Sequence, residues 1–208
     1  MDLRMTGFKV HENEYPHFVT MTIAEWLPIF LSQPYLDVVV KSLTFCQEQK
    51  SLRLHAYVIM PDHLHLVASG TKDLARTIGQ FKSFTSHQIA ELLETDSKRL
   101  YLWVVRDAAR KQGEGEHKVW QDGYHPEQIY SQKFLEQKAR YIHENPVRKG
   151  LVAEPADWLH SSAEYYEGRG EGVLKVEPVM WYNGRQRGQR PGMAVKPGGQ
   201  SPPGIRSC

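Results

Sequence analysis

Two short stretches hold the side chains best suited to chemistry: PDHLHLV, with His63 and His65, and YIHENPV, with Tyr141 and Asn145. Two imidazoles, a phenol and an amide are the parts that a metal-assisted attack of tyrosine on a phosphodiester requires. Imidazole nitrogen and amide oxygen are donors for a divalent ion. A phenol is an oxygen nucleophile that needs help to ionise, because free tyrosine has a pKa near 10.

These groups need elements to position them. The run from Leu54 to Met60 is rich in β-branched and aromatic residues, Pro61-Asp62 interrupts it, and a second apolar run extends from His63 to Ala68. This pattern predicts two strands joined by a tight connection. Alternation then turns His63, His65 and Val67 to one face and Leu64, Leu66 and Ala68 to the other. Both imidazoles share a face at a spacing that suits two-point chelation of one ion. Taken alone, a His-x-His pair is also what a surface stripe or two hydrogen-bonded structural histidines would leave in a sequence.

The second stretch is expected on a helix. Ser131 is placed as an N-cap, no Gly or Pro occurs from Gln132 to Glu144, and Asn145-Pro146 is expected to stop the helix. Leu135, Ala139 and Ile142 then share a face that packs on the sheet. Lys138, Tyr141 and Asn145 form a neighbouring polar stripe, which holds a phenol and an amide together. The plainer reading makes Tyr141 a half-buried aromatic, Asn145 a C-terminal cap and Lys138 a solvated cation.

The strings YVIMPDHLHLV, KVWQDGYHPEQI and KARYIHENPVRKGLV, in this order and at these separations, carry a resemblance. The chain resembles the REP-associated tyrosine transposases and their insertion-sequence relatives among the single-tyrosine HUH transposases, over roughly residues 14 to 182. His63-Leu64-His65 fits the HUH pattern of His, bulky hydrophobic, His. In that family the nucleophilic tyrosine stands four residues before an Asn or Gln that completes the metal site, and Tyr141 and Asn145 match those positions. The resemblance thus implies Tyr141 as nucleophile, His63, His65 and Asn145 as metal ligands, and a 5′-phosphotyrosine intermediate with a free 3′-hydroxyl. It implies Mg²⁺ or Mn²⁺ as cofactor. The lack of a cysteine cluster beside the histidines argues against zinc. The implied partner is single-stranded DNA with a hairpin, of the REP or insertion-sequence-end kind, bound by a monomer or a homodimer.

Other residues enter as contacts to nucleic acid. Trp120, Tyr124 and His125 lie in a polar, Gly-containing segment from which aromatics can stack on unpaired bases, although core packing is an equal reading for Trp120. Lys82 on the second predicted helix, Lys138 and Arg148 are the basic candidates nearest the motifs. Tyr124 and Tyr130 are rival nucleophiles by residue type, but neither has an amide partner four residues on. Asp62 is placed as a turn residue beside proline, with a secondary role in orienting the histidines. His143, offset from the Tyr141 stripe, is a minor candidate.

Composition bounds the rest. The 208 residues suffice for one well-packed domain, expected over residues 1–183, followed by a disordered basic Gly/Pro-rich tail over 184–208. The two cysteines, Cys46 and Cys208, give no disulfide framework. The chain has no apolar run long enough for a membrane span and no signal-peptide core at its start, so a cytoplasmic location is expected. Net charge is +2, and removing the tail's five positive charges leaves the body at −3, so DNA affinity must come from local patches.

The predicted order is a strand from His17 to Ile23, a helix from Pro34 to Gln49, the histidine hairpin, a long helix capped by Asp73, and a fourth strand from Leu100 to Val105. Lys111 to Lys118 reads as a mobile loop, and Gly172 to Trp181 as one more short strand. This is the order of an α+β, ferredoxin-like (RRM-like) antiparallel sheet with helices on one face, to which the helix carrying the tyrosine is added near the C-terminus. A metal-dependent single-stranded DNA endonuclease and strand transferase is the favoured function. The alternatives are a non-catalytic nucleic-acid-binding module on the same fold, or a nuclease of the replication-initiator or relaxase type.

Overall fold

Apolar and polar residues alternate along HFVTMT, and these residues form β1 (His17–Thr22), with Val19 and Met21 buried on one face and Phe18, Thr20 and Thr22 on the other. The computed structural model describes residues 15–70, 73–113, 115–123 and 126–178. Helix α1 (Gln33–Lys50) carries Pro34 in its first turn and ends at Ser51, whose φ of 59° lets its N–H reach the Cys46 carbonyl. Strands β2 (Leu52–Ile59) and β3 (His63–Gly70) pair antiparallel across the Pro61–Asp62 connection, which a 2.8 Å bond from Met60 N–H to the His63 carbonyl closes. Asp73 caps α2 (Leu74–Thr95) by accepting from Arg76 N–H at 3.0 Å. Helix α3 (Arg99–Gln112), strand β4 (Glu127–Gln128), α4 (Gln132–Arg148) and the short α5 (Ala163–Tyr166) follow.

The sheet runs β2-β3-β1-β4, with every neighbouring pair antiparallel. That is the order of a ferredoxin-like sheet, and the α+β class expected from the sequence is the observed one. One core lies between the sheet and α1 and α2, where Val19, Met21, Leu64 and Leu66 meet Val39, Leu43, Ile78 and Phe81. A second core lies on the opposite face, where Ala56, Val58, Met60 and Val67 meet Leu135, Ala139 and Ile142 of α4. The tyrosine helix thus covers the face that bears the histidines.

Strand β2 reaches both cores through a bulge. Its register jumps between Leu54 and Ala56, leaving His55 as an extra residue. Leu52 and Leu54 before the bulge, and Tyr57 and Ile59 after it, all pack in the first core, while Ala56, Val58 and Met60 turn to α4. The bulged imidazole is held by Ser69 Oγ at 2.8 Å and by the Glu177 carbonyl.

Several expectations are corrected. Leu100–Val105 is not the fourth strand but part of α3, which buries Val105 and Ala109 one turn apart and exposes Leu100 and Trp103. The fourth strand is Glu127–Gln128, paired with Phe18 and His17. Pro146 does not stop α4; the helix runs on to Arg148, and Lys149 N–H still reaches the Asn145 carbonyl at 3.1 Å. The loop expected from Lys111 begins only after Gly113, whose φ of 67° ends α3. Residues 172–178 form no strand. They lie along β2, where Glu177 N–H donates to the Leu54 carbonyl at 2.8 Å, and Trp181 and the tail from Gly184 fall outside the described residues. Among the described residues no helix is long and apolar enough to cross a membrane.

Candidate catalytic site

His63 and His65 open β3 on the α4 side of the sheet, both buried, with ring centroids 4.7 Å apart. The antiparallel register sets Thr20 of β1 opposite His65 and Thr22 opposite His63. Each imidazole is fixed through its Nδ1 atom. His63 Nδ1 lies 2.5 Å from Asp62 Oδ1, and His65 Nδ1 lies 2.8 Å from Thr20 Oγ1. Asp62 therefore combines the turn with the orienting role. A carboxylate accepts only, so His63 Nδ1 carries the proton and its Nε2 keeps a lone pair. Neither Nε2 atom has a hydrogen-bond partner among the described residues.

Burial, then the nearby His63 and Lys138, push the His65 pKa down to about 3. The ring is neutral at pH 7, which is the ligating form.

Helix α4 brings Tyr141 to the same place. Ser131 starts the helix by accepting from Phe134 N–H at 3.2 Å, and the burial of Leu135, Ala139 and Ile142 fixes its rotation. The Tyr141 ring then stands edge-on to His65 at 5.3 Å and to Phe18 at 5.9 Å, 39% exposed. Phe18 stacks on His65 at 5.4 Å. The Arg148 guanidinium lies 5.2 Å from the centre of the Tyr141 ring, and Lys138 Nζ lies 4.4 Å from that of Phe18.

Asn145 follows Tyr141 by one turn and is only 6% exposed, and among the described residues nothing hydrogen-bonds its carboxamide. An amide without a protein partner suits a ligand, as does the Nε2 lone pair that Asp62 fixes on His63. Among the described residues no group of three or more His, Cys, Asp or Glu side chains could hold a metal ion. Imidazole nitrogen and amide oxygen are donors of the kind that hard or borderline divalent ions accept.

The other predicted contacts divide. Lys138 and Arg148 border the site, paired with Glu127 and Glu144, each at 2.5 Å. Lys82 stands on α2 in the opposite layer, where its ammonium donates to the Gln121 carbonyl at 2.8 Å. Trp120 is 2% exposed, packs between Phe30 and Phe81, and donates its indole N–H to Thr85 Oγ1 at 2.9 Å. It is a core residue with no free face for a base. Tyr124 and His125 lie outside the described residues. Tyr130 stacks on Phe134 at 5.2 Å and has no contact with the histidine pair. His143 is buried on the inner side of α4 against Ser162 Oγ at 2.8 Å. Thr20 and Phe18 went unnoticed as site residues, although the alternation of β1 already placed both on one face.

Residues 11–145 match the family model described as IS200-like transposase. No curated protein matches the chain. Among solved structures, a REP-associated tyrosine transposase bound to a REP hairpin has 18% identity and a TM-score of 0.53, covering 90% of this chain and 98% of that one. At that identity the likeness concerns the fold. A crystal structure from Deinococcus radiodurans, of a protein assigned as a transposase, has 16% identity and a TM-score of 0.39 over 70% of this chain and 96% of that one, too low to argue from. The stretch matched by the family model takes in more than half of the chain, runs from before β1 through the histidine pair to Tyr141, and ends on Asn145. Its span, together with the shared fold, places the chain in the IS200-like transposase family.

Proposed function

We propose that this transposase cleaves and rejoins single-stranded DNA at hairpin-flanked sites through a covalent 5′-phosphotyrosine at Tyr141. The observation that supports this most strongly is the fixing of both imidazoles through Nδ1, by Asp62 and Thr20, beside an exposed phenol. His63, His65 and Asn145 would hold Mg²⁺ or Mn²⁺. The chemistry such an ion supplies when bound is polarisation of the scissile phosphate and stabilisation of charge on its oxygens.

The chain's own groups do the rest. Tyr141 Oη forms the new bond to phosphorus as the bond to O3′ breaks. The phenol loses a proton and the departing O3′ gains one, so one phosphodiester replaces another with no net consumption of protons. The bond energy is retained and the step can run back onto a different 3′ end. Phe18 and His65 hold the Tyr141 ring from the sheet side, leaving the phenol on the open side. Arg148 and Lys138 bring positive charge to where a backbone phosphate would lie. Trading the exposed Glu144 partner of Arg148 for phosphate costs little, because surface ion pairs contribute about 0–1 kcal/mol. Hairpin-bearing DNA as partner is supported by the similar transposase that was solved with a REP hairpin.

The test is to incubate the protein with single-stranded oligonucleotides from the flanks of its gene, with Mn²⁺, Mg²⁺ or EDTA, and to seek a denaturation-resistant adduct by mass spectrometry. A metal-dependent adduct on Tyr141, absent from Tyr141→Phe although that variant still binds, is the expected result. An adduct that persists in Tyr141→Phe refutes the assignment.

A further inference from the structure

Just after β1, the chain makes a 3₁₀ turn (Ala24–Trp26) in which Glu25 and Trp26 both take left-handed backbone angles, φ 52° and 56°. Such angles are costly for residues with a side chain, most of all for a bulky aromatic. Among the described residues, Ser51 and Ser97 are the other non-glycine residues with positive φ, and they stand just after α1 and α2, where a left-handed residue commonly ends a helix. Glu25 and Trp26 end no α-helix. The turn is imposed by its surroundings: Ile23 N–H donates to the Asp62 carbonyl, Ala24 N–H to the Val119 carbonyl and Phe30 N–H to the Pro61 carbonyl, at 2.9, 2.8 and 2.9 Å. Strain held this firmly collects at functional sites.

The strained conformation turns one large side chain outward. Ala24, Ile29 and Phe30 around it are buried, yet Trp26 is 58% exposed. Its ring stands edge-on to His63 at 6.1 Å. Four rings therefore follow one another across the site: Trp26 to His63 at 6.1 Å, His63 to His65 at 4.7 Å, and His65 to Tyr141 at 5.3 Å. The proposed nucleophile is at one end of this row and a free indole face at the other. A strand whose phosphate lies over the imidazoles brings a neighbouring base to the indole.

We propose that Trp26 is a stacking platform for an unpaired nucleobase adjacent to the scissile phosphate, so that only a strand with that base free of a partner is held in register for attack. This rests on the single-stranded cleavage reading above. Stacking on an aromatic side chain is open to any base, so the platform selects for an unpaired state more than for sequence.

The test uses the full chain carrying Tyr141→Phe, so that no covalent step intervenes, and fluorescence anisotropy with single-stranded oligonucleotides from the gene's flanks. Trp26→Ala is expected to weaken binding roughly 5- to 150-fold, and Trp26→Phe to keep most of the affinity. Trp26→Gly relieves the left-handed strain, so it should weaken binding like Ala while its melting temperature equals or exceeds the parent's, a pairing that a structural role would not produce. In an abasic scan, one position beside the cleavage site should cost the parent as much as Trp26→Ala does and cost Trp26→Ala nothing more. Equal affinity of parent and Trp26→Ala for every strand overturns the platform and leaves the cleavage reading standing. Trp26-dependent binding without any adduct in the chain with native Tyr141 overturns the cleavage reading and leaves the platform. A parent that binds no single strand overturns both.

Discussion

Replacing Asp62 with alanine should weaken metal binding without unfolding the protein. The carboxylate holds His63 Nδ1–H at 2.5 Å, with the two side chains 26% and 6% exposed, so solvent screens the pair only in part. A hydrogen bond to a charged group contributes roughly 1.5–3 kcal/mol. Loss of a group that orients a metal-binding histidine typically costs 10- to 100-fold in metal affinity, about 1.4–2.7 kcal/mol. The two ranges overlap, so a rise of one to two decades in the half-saturating Mn²⁺ concentration is expected, with the adduct-forming rate recovering at saturating metal. Thr20→Val removes a neutral hydrogen bond from His65, a contribution of about 0.5–1.5 kcal/mol, and should shift the midpoint by no more than about tenfold. Both variants should fold. The contact that ties Asp62 to β1 comes from its backbone carbonyl, which accepts from Ile23 N–H and survives any substitution. The assay is a Mn²⁺ titration of adduct formation in the wild type, Asp62→Ala and Thr20→Val. A wild-type midpoint for Asp62→Ala, or a larger shift for Thr20→Val than for Asp62→Ala, would refute the assignment of these residues as holders of the imidazoles.

Trp120→Ala should destabilise the fold by about 3–5 kcal/mol in urea melts, since it empties a packed aromatic site and leaves Thr85 without its indole partner; a fully stable variant with impaired DNA binding would return Trp120 to the binding surface. His143, whose pKa burial lowers to about 4, makes stability sensitive to acid. Below pH 6.5 the unfolded chain takes up a proton that the folded chain refuses until about pH 4, so stability falls with pH across that window, by about 3 kcal/mol in the limit. His143→Gln should lose correspondingly less than wild type between pH 7 and pH 4, and parallel losses would show that the buried ring does not titrate as described. Deleting residues 184–208 should leave the adduct-forming rate unchanged, and a variant that fails to fold would show that the tail belongs to the domain.

The histidine hairpin and the tyrosine helix were legible in the sequence because each has one polar side and one apolar side. Leu64, Leu66 and Ala68 alternate with the histidines, and Leu135, Ala139 and Ile142 recur at helical spacing. Helix α3 reads as a strand in the sequence because Leu100, Leu102 and Val104 also satisfy a period of two. The residues that fix its orientation, Val105 and Ala109, are one turn apart and show only when the window extends past Arg106. Strand β4 had no signal at all. Glu127 and Gln128 are both exposed, and only their backbones, paired with β1, make them a strand. Pro146 reads as a stop in the sequence because proline lacks the N–H that a helix interior needs. Within the last turn of α4 a single missing donor is tolerated. Trp120 and Trp26 show why residue type could not assign stacking. Both are tryptophans in mixed segments, and only tertiary packing buries the first and exposes the second.

The bulge at His55 lets β2 carry one residue more than strict alternation allows. The number of residues between Leu54 and Tyr57 sets which side of the sheet the rest of the strand presents. A regular strand of the present length, with no bulge, would reverse every later position, sending Tyr57 and Ile59 toward α4 and Ala56, Val58 and Met60 toward α1. Small Ala56 would no longer face the helix that carries Tyr141, and the phenol would be lifted off the imidazoles with both motifs intact. Loss of residue 55 would leave Leu54 and Tyr57 two apart and still on one face, so homologous genes should admit that deletion, at the cost of the bonds that His55 makes to Ser69 and the Glu177 carbonyl.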